Sequence, residues 1–197
     1  MPGRFFDINE ISENKVSTGE ESSGAMVIKF LKIHTERIAG LRNLINIPKP
    51  EETTIIWTVK SFNAFTFIPF IFQHFGIIEE LTISTFSINR RIIDALVLML
   101  DQGRILKVHI LISESLKTRL STVNDHLSAV VVNKPQVTLR YGWNHSKISC
   151  IRCGDNFFVA EGSGNWGENA QHENYTFTNS KQVYEFRKEE ILAIGSH

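Results

Sequence analysis

The sequence predicts an α/β protein, a layered α/β/α domain around a mixed, mainly parallel central sheet. Three observations carry that reading. From Thr53 to Tyr141, strand-length runs rich in β-branched residues alternate with helix-length apolar segments, the rhythm of helices packed on a parallel sheet. After residue 147 the rhythm gives way to short strands separated by turn residues, which makes the sheet mixed. At 197 residues, 42% hydrophobic and 21% charged, the chain is long enough for one domain with a real core.

Residues 1–24 are polar, with Glu, Ser and Gly clustered from Gly19 to Gly24, and read as a flexible tail. Residues 25–197 form the domain, with 25–52 as a helical lead-in. Apolar residues from Met26 to Ile45 recur at helical intervals, and Pro48-Lys49-Pro50 ends that helix. Thr53–Val59 is strand-like, and Ala64–Phe75 is apolar and helix-length. Leu81–Phe86 is a strand. Asn89 opens a helix that closes at Gly103. Lys107–Ile112 is the next strand, and Ser113 can cap a helix running from about Glu114 to Val130. Val137–Tyr141, Lys147–Arg152, Phe157–Glu161 and Tyr175–Thr178 are strands, and helical character resumes at Lys181. No internal repeat is visible.

Bulk charge points to no partner, because Lys plus Arg equals Asp plus Glu at 21 each. The amino terminus lacks the basic and apolar pattern of a secretory signal. The Phe-rich run Phe62–Phe75 is too short to span a bilayer and is broken by Pro69, so its rings are expected to pack inside the domain or at a subunit contact. The reading is a soluble, cytoplasmic protein with no stable membrane insertion. Cys150 and Cys153 form a lone C-x-x-C within a strand, where residues three apart face opposite ways. Without further ligands they read as isolated structural thiols.

The chemistry concentrates in NHSKISCIRCGDNFFVAEGSGNW, residues 144–166. On a strand, His145 and Lys147 project together, placing an imidazole beside an ammonium. Gly162 removes a side chain where a ligand could approach closely. Ser163 and Asn165, again two apart, can offer a hydroxyl and an amide to one spot. A base or nucleophile, a cation and neutral donors together make a phosphate cradle. Glu173-Asn174 follows at the next strand.

These residues resemble the phospholipase D superfamily, whose signature is H-x-K, four residues, D, then six residues and G-S-x-N. His145, Lys147, Gly162, Ser163 and Asn165 match it, and Glu173-Asn174 match the pair found downstream in nuclease-type members. The resemblance spans roughly residues 53–197, with its specific part at 145–174. One departure stands out. Counted from Lys147 the family's aspartate falls on Arg152, whereas counted back from Gly162 it falls on Asp155. An insertion around Cys153-Gly154 reconciles the two and makes Asp155 the aspartate.

The resemblance implies a phospholipase D-like fold and a phosphodiesterase that needs no metal or other cofactor. It implies a histidine that attacks phosphorus and a second histidine that protonates the leaving oxygen. His145 is then nucleophile or, in another subunit, acid/base. Lys147, Ser163 and Asn165 hold phosphate oxygens, and Glu173 orients a histidine through its ring N–H. Only one H-x-K frame exists here, and His34, His74, His109, His126 and His172 lie outside it. An isologous homodimer would bring His145 together with its own copy. The leading expectation is therefore a homodimeric, endonuclease-like phosphodiesterase acting on nucleic acid. The alternatives are a catalytically inactive nucleic-acid- or protein-binding module and, third, a phospholipid hydrolase. Arg90, Arg91, Arg104, Arg140 and Arg152 are the candidates for a local basic surface.

Overall fold

A computed structural model of the chain describes residues 40–42, 45–58, 63–167 and 172–194. The expected tail and all but the last turn of the helix expected to end at Ile45 lie outside these residues. The elements are β1 (Glu52–Trp57), α1 (Phe67–Phe75), β2 (Glu80–Thr85), α2 (Arg90–Asp101), β3 (Val108–Ser113), α3 (Leu116–Arg119), α4 (Ser121–Asn133), β4 (Val137–Gly142), β5 (Ile148–Cys153), β6 (Asn156–Gly162), β7 (Asn174–Asn179) and α5 (Lys181–Ala193).

The strands form one seven-stranded mixed sheet in the order β1-β7-β6-β5-β2-β3-β4. β2, β3 and β4 pair in parallel, and the remaining neighbours pair antiparallel. The registers make β1, β2, β3 and β4 run in one direction, as the alternating half of the sequence requires. The β5-β6-β7 meander is inserted between β1 and the other three. β1 therefore does not sit beside β2 but closes the edge against β7, with Thr53 opposite Thr178 and Trp57 opposite Asn174.

Local sequence accounts for most boundaries. Asn89 caps α2 by accepting a hydrogen bond from the Ile92 amide at 3.0 Å, and Ile92, Ile93, Leu96, Met99 and Leu100 recur at helical spacing on its buried face. Gly103, at φ +64°, lets the chain turn after it. The single helix expected from Glu114 to Val130 is instead two. At Leu120 the backbone leaves helical geometry (φ −138°, ψ 57°). Its amide still bonds the Leu116 carbonyl, while its own carbonyl starts the next helix by accepting from Val123 and Asn124.

The sheet is covered on both faces. On one, Phe67, Ile68, Phe70 and Ile71 of α1, the apolar face of α2, and Leu127 of α4 close over Ile83, Ile110, Ile112, Phe158 and Phe177. Phe67 packs edge-on against Tyr175 at 5.3 Å, and Phe65, Phe67 and Phe70 of the Phe-rich run are core while Phe75 is exposed; Phe62 lies outside the described residues. On the other face α5 lays Tyr184 and Ile191 against Leu111, Ile148, Cys150 and Val159. Cys150 and Cys153 are free, buried, and divided between the two core clusters, the opposite-face arrangement their spacing demands. Burial pushes each thiol up to about 12.

Candidate active site

The carboxyl ends of β1, β2, β3, β4 and β6 and the amino ends of β5 and β7 all lie along one rim of the sheet, as the registers dictate. In sheets of this kind, ligands bind outside the carboxyl ends of the parallel strands. His145 and Lys147 end the loop that crosses this rim from β4 to β5. Gly162 and Ser163 end β6. Glu173 and Asn174 begin β7.

The segment before β5 is held by Asn144, which is buried. Its amide donates to the Thr85 carbonyl at 3.2 Å, and its Oδ1 accepts from the Ser146 amide at 2.9 Å and hydroxyl at 2.7 Å. Ser146 also bonds Ser84 on β2. With the backbone fixed, His145 projects outward over the Phe86 ring, centroids 4.8 Å apart. Lys147 turns inward and is only 8% exposed. Its Nζ donates to the His145 carbonyl at 2.7 Å and reaches His145 Nδ1 at 3.1 Å. An ammonium has no acceptor site, so Nδ1 must accept and the ring proton resides on Nε2. Burial draws the Lys147 ammonium below the ordinary lysine range, and the Glu173 carboxylate pulls it back up.

The other wall is one hydrogen-bonded unit. The Ser163 hydroxyl donates to Glu173 Oε2, and Ser163 Oγ accepts from the Asn174 amide at 3.1 Å. The Ser163 amide donates to the Asn174 carbonyl at 3.0 Å. Gly162 is required by this close approach, since a Cβ there would lie 2.0 Å from the Asn174 carbonyl oxygen. Glu173 is buried; its amide donates to Thr58 Oγ1 at 2.9 Å and its carbonyl accepts from the Thr58 amide at 2.8 Å. The GSGN turn is pinned by Trp166, fully buried. Its indole N–H donates to Ser149 Oγ at 3.1 Å, and its amide donates to Thr85 Oγ1 at 3.3 Å. Asn165 stands between, and its buried Oδ1 has no hydrogen-bond partner among the described residues.

His145, Lys147, Ser163, Glu173 and Asn174 are thus at one corner of the rim. Asp155 is not. The β5–β6 hairpin pairs Cys153 with Asn156 across a two-residue turn of Gly154 and Asp155, so Asp155 lies exposed at the far end of the sheet, about 20 Å from Lys147 by strand rise. Arg152, the other count for the family aspartate, pairs with Glu79 at 2.8 Å at that same far end. Glu173 accepts from Ser163, with no described histidine hydrogen-bonded to it. His74 bonds the Phe70 carbonyl, His126 pairs with Asp94, His109 pairs with Glu80, and His172 bonds the Thr58 carbonyl. No second described imidazole faces His145.

The five arginines named from the sequence do not share a surface. Arg90 and Arg91 stand at the start of α2 on the site rim, while Arg104 and Arg152 lie at the opposite end and Arg140 bonds the Leu192 carbonyl. Asn144, Thr58, Thr85 and Trp166 are positioning residues that the motif reading did not single out. Asn144 had a signal, an Asn two residues before Ser146 in an Asx turn. The Thr residues act across the sheet and had none.

Beside the corner, on the sheet face that α5 leaves open, a groove of about 640 Å³ is lined by Gly162, Ser163, Asn174, Thr176, Ile55 and Arg187. No helix among the described residues is long and apolar enough to cross a membrane.

No family model and no curated protein sequence matches the chain. Solved structures similar to the chain include these three. Polyphosphate kinase from Porphyromonas gingivalis is 17% identical with a TM-score of 0.53, covering 79% of this chain and 27% of that one. Phosphatidylserine synthase from Haemophilus influenzae Rd KW20 is 11% identical with a TM-score of 0.48, covering 84% and 44%. TrmBL2, an archaeal chromatin protein with a novel mode of DNA binding, is 15% identical with a TM-score of 0.46, covering 88% and 63%. The chain spans less than two thirds of each of these chains. The likeness to the polyphosphate kinase is one of fold, an α/β layer around a mixed sheet.

Proposed function

We propose that this phospholipase D-like fold carries a phosphodiesterase acting on nucleic acid in an endonuclease-like manner, through a phosphohistidine intermediate at a site shared across a homodimer. The observation that carries the reading is the convergence of His145, Lys147, Ser163 and Glu173 from three strands on one corner of the rim. An imidazole beside a buried cation and a hydroxyl–carboxylate pair suits nucleophilic attack on an anionic phosphorus centre.

Nε2 of one subunit's His145 attacks phosphorus, and the P–O bond to the leaving alcohol breaks as that oxygen takes a proton from the second subunit's imidazole. Water then attacks the phosphohistidine, giving a proton back to the second imidazole and releasing the phosphomonoester. Lys147, Ser163 and the Asn165 amide hold the non-bridging oxygens. Lys147 donating to Nδ1 places the ring proton of the resting His145 on Nε2. As nucleophile His145 needs Nε2 free and the proton on Nδ1, and as proton donor it needs both nitrogens protonated, so in either role Lys147 leaves Nδ1 for the phosphate oxygens. Glu173, which accepts from Ser163 in this structure, would then orient the imidazole through its ring N–H.

The test is hydrolysis of a phosphodiester in EDTA, its loss in His145→Ala, and an acid-labile phosphoenzyme trapped at His145. Mixed dimers of His145→Ala and Lys147→Ala chains test sharing, and an active monomer that tolerates dilution would sink it. A catalytically silent binding module is the second reading. It is favoured by the remoteness of Asp155 from the corner and by the single described imidazole there. A folded dimer without turnover on nucleic acid or phosphatidylcholine would select it.

A further inference from the structure

Of the three tryptophans, Trp166 is fully buried, but Trp57 is 65% and Trp143 99% exposed. Large aromatic surface left to water at two places on one rim calls for an occupant. Neither ring is needed by the core, and both flank the corner just described.

Their positions follow from strand order. Trp57 ends β1, an outermost strand, and faces Asn174 across the ladder. Trp143 directly follows β4, the outermost strand on the other side, two residues before His145. Six strand spacings separate them, about 29 Å across the sheet. Between them in strand order come Glu173 and Asn174, Ser163, Lys147, Arg90 and Arg91 at the start of α2, and Lys117 and Arg119 on α3. The described rim thus carries Arg90, Arg91, Lys117, Arg119 and Lys147 against Glu114 and Glu173, an excess of cations although the chain as a whole is neutral. His172 lies nearly parallel to Trp57, with centroids 6.2 Å apart and planes 20° apart. It supports one side of the ring while most of the indole stays open.

We infer that Trp57 and Trp143 are stacking platforms for unpaired bases on either side of the phosphate corner, so that the substrate is single-stranded nucleic acid. This rests on the phosphodiesterase reading above and narrows its substrate class. Every unpaired base offers a π-face, whereas the bases of a duplex are already stacked on one another, so aromatic platforms in a cationic track select single strands. Aromatic rings also suit a membrane interface. A lipid headgroup, however, needs one phosphate cradle with apolar surface beside it. Two rings at opposite ends of a basic row fit an extended polyanion with a base at each end.

The experiment uses the full His145→Ala chain, which is expected to bind without cleaving, and follows tryptophan emission at fixed salt. The probes are a short oligodeoxythymidylate, the same oligomer annealed to its complement, and vesicles of phosphatidylcholine and phosphatidylglycerol. The single strand should quench emission and bind at least about tenfold more tightly than the duplex. Trp57→Ala and Trp143→Ala should each weaken it by roughly 5- to 150-fold, the range expected for loss of one stacked base. Trp57→Phe and Trp143→Phe should recover most of the affinity. Equal affinity for duplex, or alanine variants that bind as well as the parent, would overturn the proposal. So would tryptophan-dependent vesicle binding without oligomer binding. Turnover is scored separately on the native chain. Intact tryptophan-dependent binding without turnover of any phosphodiester would remove the catalytic reading and leave the stacking sites standing. Turnover indifferent to both tryptophans would do the reverse.

Discussion

Gly162→Ala tests whether the corner depends on the close approach of β6 to β7. The added methyl would sit 2.0 Å from the Asn174 carbonyl oxygen and 2.7 Å from Tyr175 Cδ1. The first contact is with backbone, so no rotamer change relieves it. Separation by more than about 1 Å is needed to reach an ordinary carbon–oxygen contact. That opening stretches the Ser163 amide bond to Asn174 and the Asn174 amide bond to Ser163 Oγ, 3.0 and 3.1 Å. Two weakened hydrogen bonds at about 0.5–1.5 kcal/mol each, with an overpacking cost of about 1–3 kcal/mol, suggest a loss of about 3 kcal/mol. For a chain of this size that is a fall of roughly 6–12 °C in Tm. Thermal unfolding by circular dichroism and phosphodiesterase rates on the same preparation measure both consequences. Since Ser163 carries the Glu173 contact, activity should fall even well below the melting range. A Tm within a degree of the parent, with unchanged rate, would refute the dependence of the site on this glycine.

Three further outcomes follow from the electrostatics. In the proposed reaction Lys147 must be charged to hold phosphate, and burial lowers its pKa, so kcat/KM should decline on the alkaline side before an ordinary lysine would titrate. Glu173→Gln removes the opposing attraction and should move that limb to lower pH; a limb that stays put in the variant denies the coupling. Burial by itself would raise the Glu80 pKa, but the hydrogen bond and charge of Lys188, with Tyr184 and His109, outweigh it and hold the carboxyl below its ordinary value. A depressed folded pKa contributes stability above the unfolded value of about 4.3 that is lost as pH falls through the folded one. Lys188→Ala should therefore move the acid-unfolding midpoint to higher pH, as followed by fluorescence, and an unmoved midpoint would count against the linkage. Cys150 and Cys153, 0% and 3% exposed with thiols pushed up to about 12, should resist iodoacetamide at pH 8 until the chain unfolds. Fast labelling of the folded protein would contradict their burial.

The strands and most helices were legible because they are written in local periodicity. Asn89 with the apolar spacing of Ile92, Leu96 and Met99 specifies α2 without outside help. The site was legible where the ligating side chains belong to one motif, as with His145 and Lys147. What the sequence left unsaid is the long-range part. Nothing local to residues 52–57 says that β1 joins the far edge beside β7, because that choice is made by a partner 125 residues away at Thr53–Thr178. The break at Leu120 lies inside a run whose apolar spacing suits one continuous helix. The extra residues before Asp155 could be counted, but only the hairpin register shows that Arg152 and Asp155, the two counts for the family aspartate, both lie at the end of the sheet away from the corner.

That distant pairing also fixes the order in which the molecule can be completed. Contacts that close long loops form slowly and late. As the chain emerges from its amino end, β2, β3 and β4 can associate with α2 and α4 while β1 has no ladder to join. β1 remains an open strand carrying Ile55 and Trp57, a template for pairing with another chain, until Asn174–Asn179 has been made. Glu173 arrives in the same event. The last strand to be synthesised thus both covers the inner edge of β1 and delivers the buried Glu173 carboxylate, so a chain ending before residue 173 would lack that protection and the carboxylate of the proposed site.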